Sequence, residues 1–326
     1  MAPKQKKSRG TAEPIPLLTT GKVFENGSAL EPLRELTNPG RLCLLYWSGR
    51  EATVGSEVQC HGQRYAPAPI DPTILRALTL PTGIAPHGSA RKLLDEISRV
   101  MAEYTGLPEN PIAAASRWIL STWFPELRPS PGLSLIGPDT TAGKQLFELL
   151  HCLCRHPLLL TEVTTAGLRA LPMEWGLTLL IRQPQLSSGL QRLLSIGRKS
   201  VGFIPRGGRL LDLHCCAATY SELVAARGAG ILPGLEISVI SARHDLAVLD
   251  DGMRQKIANG FQPKLLAYRL ATFLKVFNSA YAASGLTPPM QEFAKNLGAC
   301  TPDDPDLQAQ VPEFLRIQDK EMRSAA

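Results

Sequence analysis

The chain has 326 residues, 44% of them apolar, enough for about two domains with full cores, which excludes disorder throughout. Lys and Arg number 35 against 29 Asp and Glu, a net charge of +6. Four of those six units belong to Lys4, Lys6, Lys7 and Arg9 at the amino end. No run approaches the roughly 18 apolar residues that cross a bilayer, and no apolar leader core follows the basic start. The expected setting is cytoplasmic, with no membrane partner.

In chain order, residues 1–20 combine Lys, Pro and Thr with little apolar content, a mixture expected to stay disordered. From 21 to 80 comes a small β-rich unit with its linker. Its strands are read at Lys22-Val23-Phe24, Leu42 to Trp47, Thr53-Val54, Val58 to Cys60 and Arg64-Tyr65, and Pro67, Pro69 and Pro72 mark the way out. Two helices follow. Ser89 caps the first, with Leu93, Leu94, Ile97, Met101 and Tyr104 on one face; Asn110 caps the second, with Pro111 at its first position.

From about 132 to 242 short apolar runs alternate with helical segments: Leu133 to Ile136, a helix from about Gly143, Leu158 to Leu160, a helix near 165–171, Leu177 to Ile181 and a helix near 186–196. Such alternation predicts a mainly parallel sheet with crossover helices, an α/β class. Val201 to Ile204, Gly207-Gly208 and a run from Arg209 to Cys216 read as a hairpin spliced into the later sheet, before Leu235 to Ile240. The α/β core with its preceding helices spans 81–246, and 247–326 reads as helical. The end at Ser324-Ala325-Ala326 would also suit truncation of a longer ancestral chain.

One stretch carries chemistry. Leu133-Ser134-Leu135-Ile136 runs into Gly137-Pro138-Asp139-Thr140-Thr141-Ala142-Gly143-Lys144-Gln145, a strand, a loop and a Gly-Lys opening a helix. Phosphate loops have this context: backbone N–H groups and the positive helix end surround the phosphates, a lysine reaches their oxygens, and a following Ser or Thr binds Mg²⁺. The candidate nucleotide- or phosphate-binding residues are therefore Gly137, Asp139, Thr140, Thr141, Gly143, Lys144 and Gln145. The pattern also departs from the usual one. Five residues separate the glycines instead of four, so either the loop is one residue longer or Pro138 stands where the first glycine belongs. Gln145 replaces the hydroxyl, and Leu177 to Ile181 ends in Arg182-Gln183 where active enzymes carry an acid. No Asp or Glu lies between Glu174 and Asp212. Asp139 or Thr141 also reads as a plain helix cap.

On these stretches, with Gln262 to Leu270 and Leu297 to Cys300, residues 80–320 resemble the ATPase modules of bacterial, phage and plasmid primase/helicase-type proteins, in a degenerate branch. The resemblance implies a P-loop-like core followed by a helical lid. It also implies an Asp-Arg pair after Leu232-Pro233, which Gly234-Leu235-Glu236 lacks; Arg243 is the nearest cation. The implied ligand is ATP or ADP, with Mg²⁺ disfavoured, Arg182 in its place and hydrolysis lost. No residue is assigned a catalytic role.

A second feature is charge. Between Arg169 and Arg209 seven cations face one acid, Glu174, and Arg198, Lys199, Arg206 and Arg209 bracket the hairpin. A basic hairpin of this kind suits the phosphate backbone of DNA or RNA. The alternative function is thus a nucleic-acid-binding or scaffolding module; a purely structural self-associating protein is a third. Neither His151 to His156, nor His214-Cys215-Cys216, nor Cys60-His61 has the convergent spacing of a metal site. Seven cysteines, several within apolar runs, read as reduced thiols.

Overall fold

A computed structural model of the chain describes residues 15–130, 132–137, 140–183, 185–198, 203–206, 208–221, 234–243 and 245–325. The first strands are β1 (Leu17–Thr19), β2 (Lys22–Val23), β3 (Ala29–Arg34), β4 (Leu42–Trp47), β5 (Ala52–Gly55), β6 (Val58–Cys60) and β7 (Gln63–Pro67). They form two sheets, β1-β7-β6 and β2-β3-β4-β5. Two of them correct the sequence reading. Leu17–Thr19 falls in the stretch expected to be disordered, yet it pairs in parallel with Tyr65–Pro67; residues 1–14 lie outside the described residues. In β3, Glu31 and Pro32 disguise a strand. β2 covers only Ala29 and Leu30, and past it the Arg34 amide bonds the Pro81 carbonyl, so Pro32 stands where no strand pairs with that edge and proline is tolerated.

Beyond α1 (Pro72–Ala77) lie α2 (Ala90–Thr105), capped by Ser89 through the Lys92 amide, and α3 (Glu109–Thr122). The second of these begins earlier than Asn110 suggested, with Pro108 before it and Pro111 inside its first turn, where no intrahelical N–H is needed.

The α/β core runs β8 (Gly132–Ile136), α4 (Thr140–Leu153), β9 (Pro157–Leu160), α5 (Thr165–Ala170), a 3₁₀ turn (Met173–Trp175), β10 (Thr178–Ile181), α6 (Ser188–Arg198), β11 (Phe203–Arg206), β12 (Arg209–Asp212), β13 (Cys216–Ser221) and β14 (Gly234–Ser238). Five strands form one sheet in the order β14-β8-β13-β10-β9, every pairing parallel, as the alternation of runs predicted. The run from Arg209 to Cys216 is not one strand: β12 ends at Asp212, and β13 is a separate interior strand. The hairpin stands apart from this sheet as β11-β12.

Both faces of the sheet are covered, as parallel sheets require. Alternate residues part accordingly: Leu180, Ala218 and Tyr220 join the core formed with α2, α3 and α4, whereas Leu179, Ile181 and Ala217 pack with Leu168, Leu190 and Leu194. The remaining chain is helical, as expected: α7 (Asp251–Phe277), α8 (Pro288–Ala299) and α9 (Pro305–Ala325). Gln262 of α7 donates to the carbonyls of Cys152 and Cys154, satisfying the end of α4. All seven cysteines are free thiols, six of them buried.

The N-terminal strands share this core, because Ala29, Leu33 and Leu45 pack with α2, α3 and α7. An ion network ties the same elements together. Glu31, 2% exposed, accepts from Arg155 Nη2 at 2.9 Å and from Arg269 Nε at 2.6 Å. Arg269 also bonds both carboxylate oxygens of Glu126 and the Trp123 carbonyl. Burial alone would raise the Glu31 pKa, but the charges of Arg155 and Arg269 outweigh it and hold the carboxyl at about 2. Beside it, burial pushes His156 down to about 3, so its ring is neutral and donates from Nδ1 to the Trp175 carbonyl at 2.6 Å.

Both shifts favour the deprotonated form in the folded chain. Stability is therefore full above about pH 6.5 and falls with pH, through His156 from 6.5 to about 3 and through Glu31 from 4.5 to about 2. Glu31→Gln strands the buried Arg155 guanidinium, leaves Arg269 with Glu126 as its one carboxylate, and is expected to cost about 3–5 kcal/mol at neutral pH. It should also flatten the acid limb below pH 4.5, read by urea denaturation across a pH series.

Candidate functional site

All five core strands are parallel, so their carboxyl ends, Ile136, Leu160, Ile181, Ser221 and Ser238, share one edge of the sheet. β9, β10 and β13 lie on one side of β8 and β14 on the other: the chain leaves β8 toward β9 and passes from β13 across β8 to β14, so the strand order reverses beside β8. Ligands of open α/β sheets bind at such a point. Here the chain passes from Gly137 into α4, which begins at Thr140, three residues before the expected Gly143.

The sequence candidates divide at this point. Lys144 is exposed in the first turns of α4 and makes no ion pair among the described residues. The positive end of the helix adds to its charge. Arg182 follows β10 directly, half-buried, with its amide bonded to the Leu160 carbonyl. One strand, β13, separates it from Gly137, a distance of roughly 10 Å at two strand spacings. Thr141 is exposed. Gln145 turns elsewhere, its Nε2 donating to the Ala247 carbonyl at 2.9 Å while Oε1 is buried. Pro138 and Asp139 lie outside the described residues, as does the Thr140 side chain.

Both glycines are explained by packing. A Cβ on Gly137 would lie 2.4 Å from the Val239 carbonyl oxygen, because the chain leaving β14 bonds back to Ile136 there. A Cβ on Gly143 would lie 2.6 Å from the ring of Tyr220, a β13 residue that is 3% exposed and whose hydroxyl donates to the Gly137 carbonyl at 3.4 Å. Sequence reasoning did not find Tyr220: its partners lie far away in sequence, and no spacing signals them.

None of the strand-end residues is acidic, and among the described residues no group of three or more His, Cys, Asp or Glu could hold a metal. Gln145, whose amide is engaged by the Ala247 carbonyl, brings no hydroxyl to a Mg²⁺ ion. Arg243, the cation nearest to Leu232-Pro233 in the sequence, lies 3.5 Å from Asp245. Leu232 and Pro233 lie outside the described residues.

The hairpin belongs to the opposite edge. β12 ends four residues before β13 begins, at the amino-terminal end of the sheet, and Arg128 pairs with Asp212 at 2.7 Å to hold its base. Arg206 and Arg209 face each other across the ladder next to the turn. Ile204 is buried, whereas Phe203 and Leu210 are 52% and 71% exposed. Arg198 ends α6; its side chain, those of Arg206 and Arg209, and all of Lys199 lie outside the described residues.

No protein-family model matches the chain, and no curated protein matches it. Among solved structures, the apo A form of the NrS-1 C-terminal region is similar over 73% of this chain at 10% identity and a TM-score of 0.38. A second structure of that region, residues 305–718, is similar over 72% at 9% identity and 0.38. This chain spans 66% and 65% of those two chains. A full-length MCM homolog from Methanopyrus kandleri is similar over 84% of this chain and 73% of its own, at 12% identity and 0.38.

The close approach at Val239 makes Gly137→Ala a test of this geometry without any ligand. The substitution is expected to lower stability by about 1–3 kcal/mol, read as a lower denaturation midpoint at an unchanged slope.

Proposed function

We propose that the chain is a catalytically degenerate, helicase/primase-type ATPase-like module that binds nucleotide or phosphate at the start of α4 without metal-dependent hydrolysis. One observation carries this reading: an exposed Lys144 in the first turns of the helix that follows an interior strand, at the carboxyl edge, with Arg182 directly after β10 on the same edge. The helix start and Lys144 supply positive charge to a phosphate group. Arg182 supplies a fixed cation where a metal would otherwise neutralise the phosphates, and a guanidinium, unlike Mg²⁺, needs no carboxylate ligands. Hydrolysis requires a group that orients and deprotonates water, and β10 runs into Arg182, a cation, at the position where such a carboxylate would stand. The sequence resemblance to primase/helicase ATPase modules names the class.

Calorimetric titration with ATP and ADP, in Mg²⁺ and in EDTA, tests this. Binding indifferent to Mg²⁺ and reduced at least tenfold by Lys144→Ala is expected; Mg²⁺-dependent turnover that needs Lys144, or no binding at all, rejects it.

A second reading rests on the hairpin, whose two paired arginines and exposed Phe203 offer charge and a stacking ring. It predicts binding to single-stranded DNA or RNA that weakens with salt, and a shallower salt dependence in Arg206→Gln/Arg209→Gln. Binding unchanged by that double substitution in a filter or anisotropy assay removes it.

A further inference from the structure

One side chain touches both ends of the turn between β8 and α4. Tyr220 donates its hydroxyl to the carbonyl of Gly137, the residue after β8, and lays its ring against Gly143, the residue before Lys144. Gly143 and Phe147 lie four apart on α4, hence on one face. Together they form a seat, with the glycine as a notch and Phe147 edge-to-face with Tyr220 at 6.0 Å between centroids. Tyr220 itself stands on β13, which is hydrogen-bonded to a neighbour on each side. A rigid strand thus carries the contact, and a group supported in this way can hold a site to fractions of an ångström.

We propose that Tyr220 is the positioning residue of the candidate phosphate site: it fixes the start of α4, and with it Lys144, relative to the end of β8. The site it serves is that of the proposed function, on which this inference rests. The ring sets the depth of the helix start through Gly143, and the hydroxyl sets its distance from the sheet through Gly137. Gly143 is then a glycine because the phenol ring lies against it.

Tyr220→Phe keeps the ring and removes the hydroxyl, and Gly143→Ala intrudes on the ring from the other side. Hydrogen exchange of the Thr141 to Lys144 amides in the unliganded protein reads positioning directly, and ADP titration reads its consequence. Each variant is expected to speed exchange at these amides and to weaken ADP binding by about three- to tenfold, the range of one hydrogen bond. In Tyr220→Phe the melting temperature should hold to within about 2 °C, which a merely structural role would not combine with lost affinity. Unchanged exchange in Tyr220→Phe overturns the proposal, and so does faster exchange with undiminished ADP affinity. Faster exchange in a protein whose wild type binds no ADP rejects the phosphate reading instead, and keeps Tyr220 as the anchor of the helix start.

Discussion

The fold depends on one buried carboxylate. Glu31 lies between Arg155, which leads into β9, and Arg269 of α7, and Arg269 passes the connection on to Glu126 after α3. Two acids and two arginines balance at a point where the N-terminal strands, the α/β core and the C-terminal helices meet. Burying such a network adds little net stability, because desolvation offsets attraction. Each of these charges has its partner where the three parts meet in this arrangement. The N-terminal β unit supplies one of the two acids, so it is a component of the core's electrostatics as well as of its apolar packing.

Much of the fold was legible because local pattern and tertiary role agree. The face of Leu93, Leu94, Ile97, Met101 and Tyr104 on α2, the Ser89 cap, and the alternation of apolar runs with helices in the core all have local causes, and the structure follows them. What escaped has non-local causes. β3 contains a glutamate and a proline that local preference assigns to a loop; only the distant Arg155 and Arg269 make Glu31 suitable for burial. β1 is too short and polar in context to be seen without its partner β7. β13 was merged with β12 because three residues, Leu213, His214 and Cys215, continue the apolar run between two separate strands.

The candidate site was legible to a similar degree. Strand, turn and Gly-Lys helix start are local signals, and they led to the carboxyl edge of a central strand. The meaning of the glycines was not legible. In the sequence they suggest backbone approaching a phosphate; in the fold each meets a specific neighbour, Val239 or Tyr220. The two explanations are compatible, since a turn that must come close to its own protein can also come close to a ligand. Gln145 shows the opposite case, a residue at a ligand position whose side chain the fold has engaged through Ala247.

β13 joins the two features that the sequence singled out. It begins just past the hairpin and ends beside the start of α4, and its six residues span roughly 20 Å. A strand bonded on both sides has no slack along its axis. The two basic regions are therefore held on opposite rims of one slab, at a spacing that the sheet dictates. A group bound at one rim would thus stand a full strand length from a group bound at the other, and Tyr220 lies at the end of that strand next to α4.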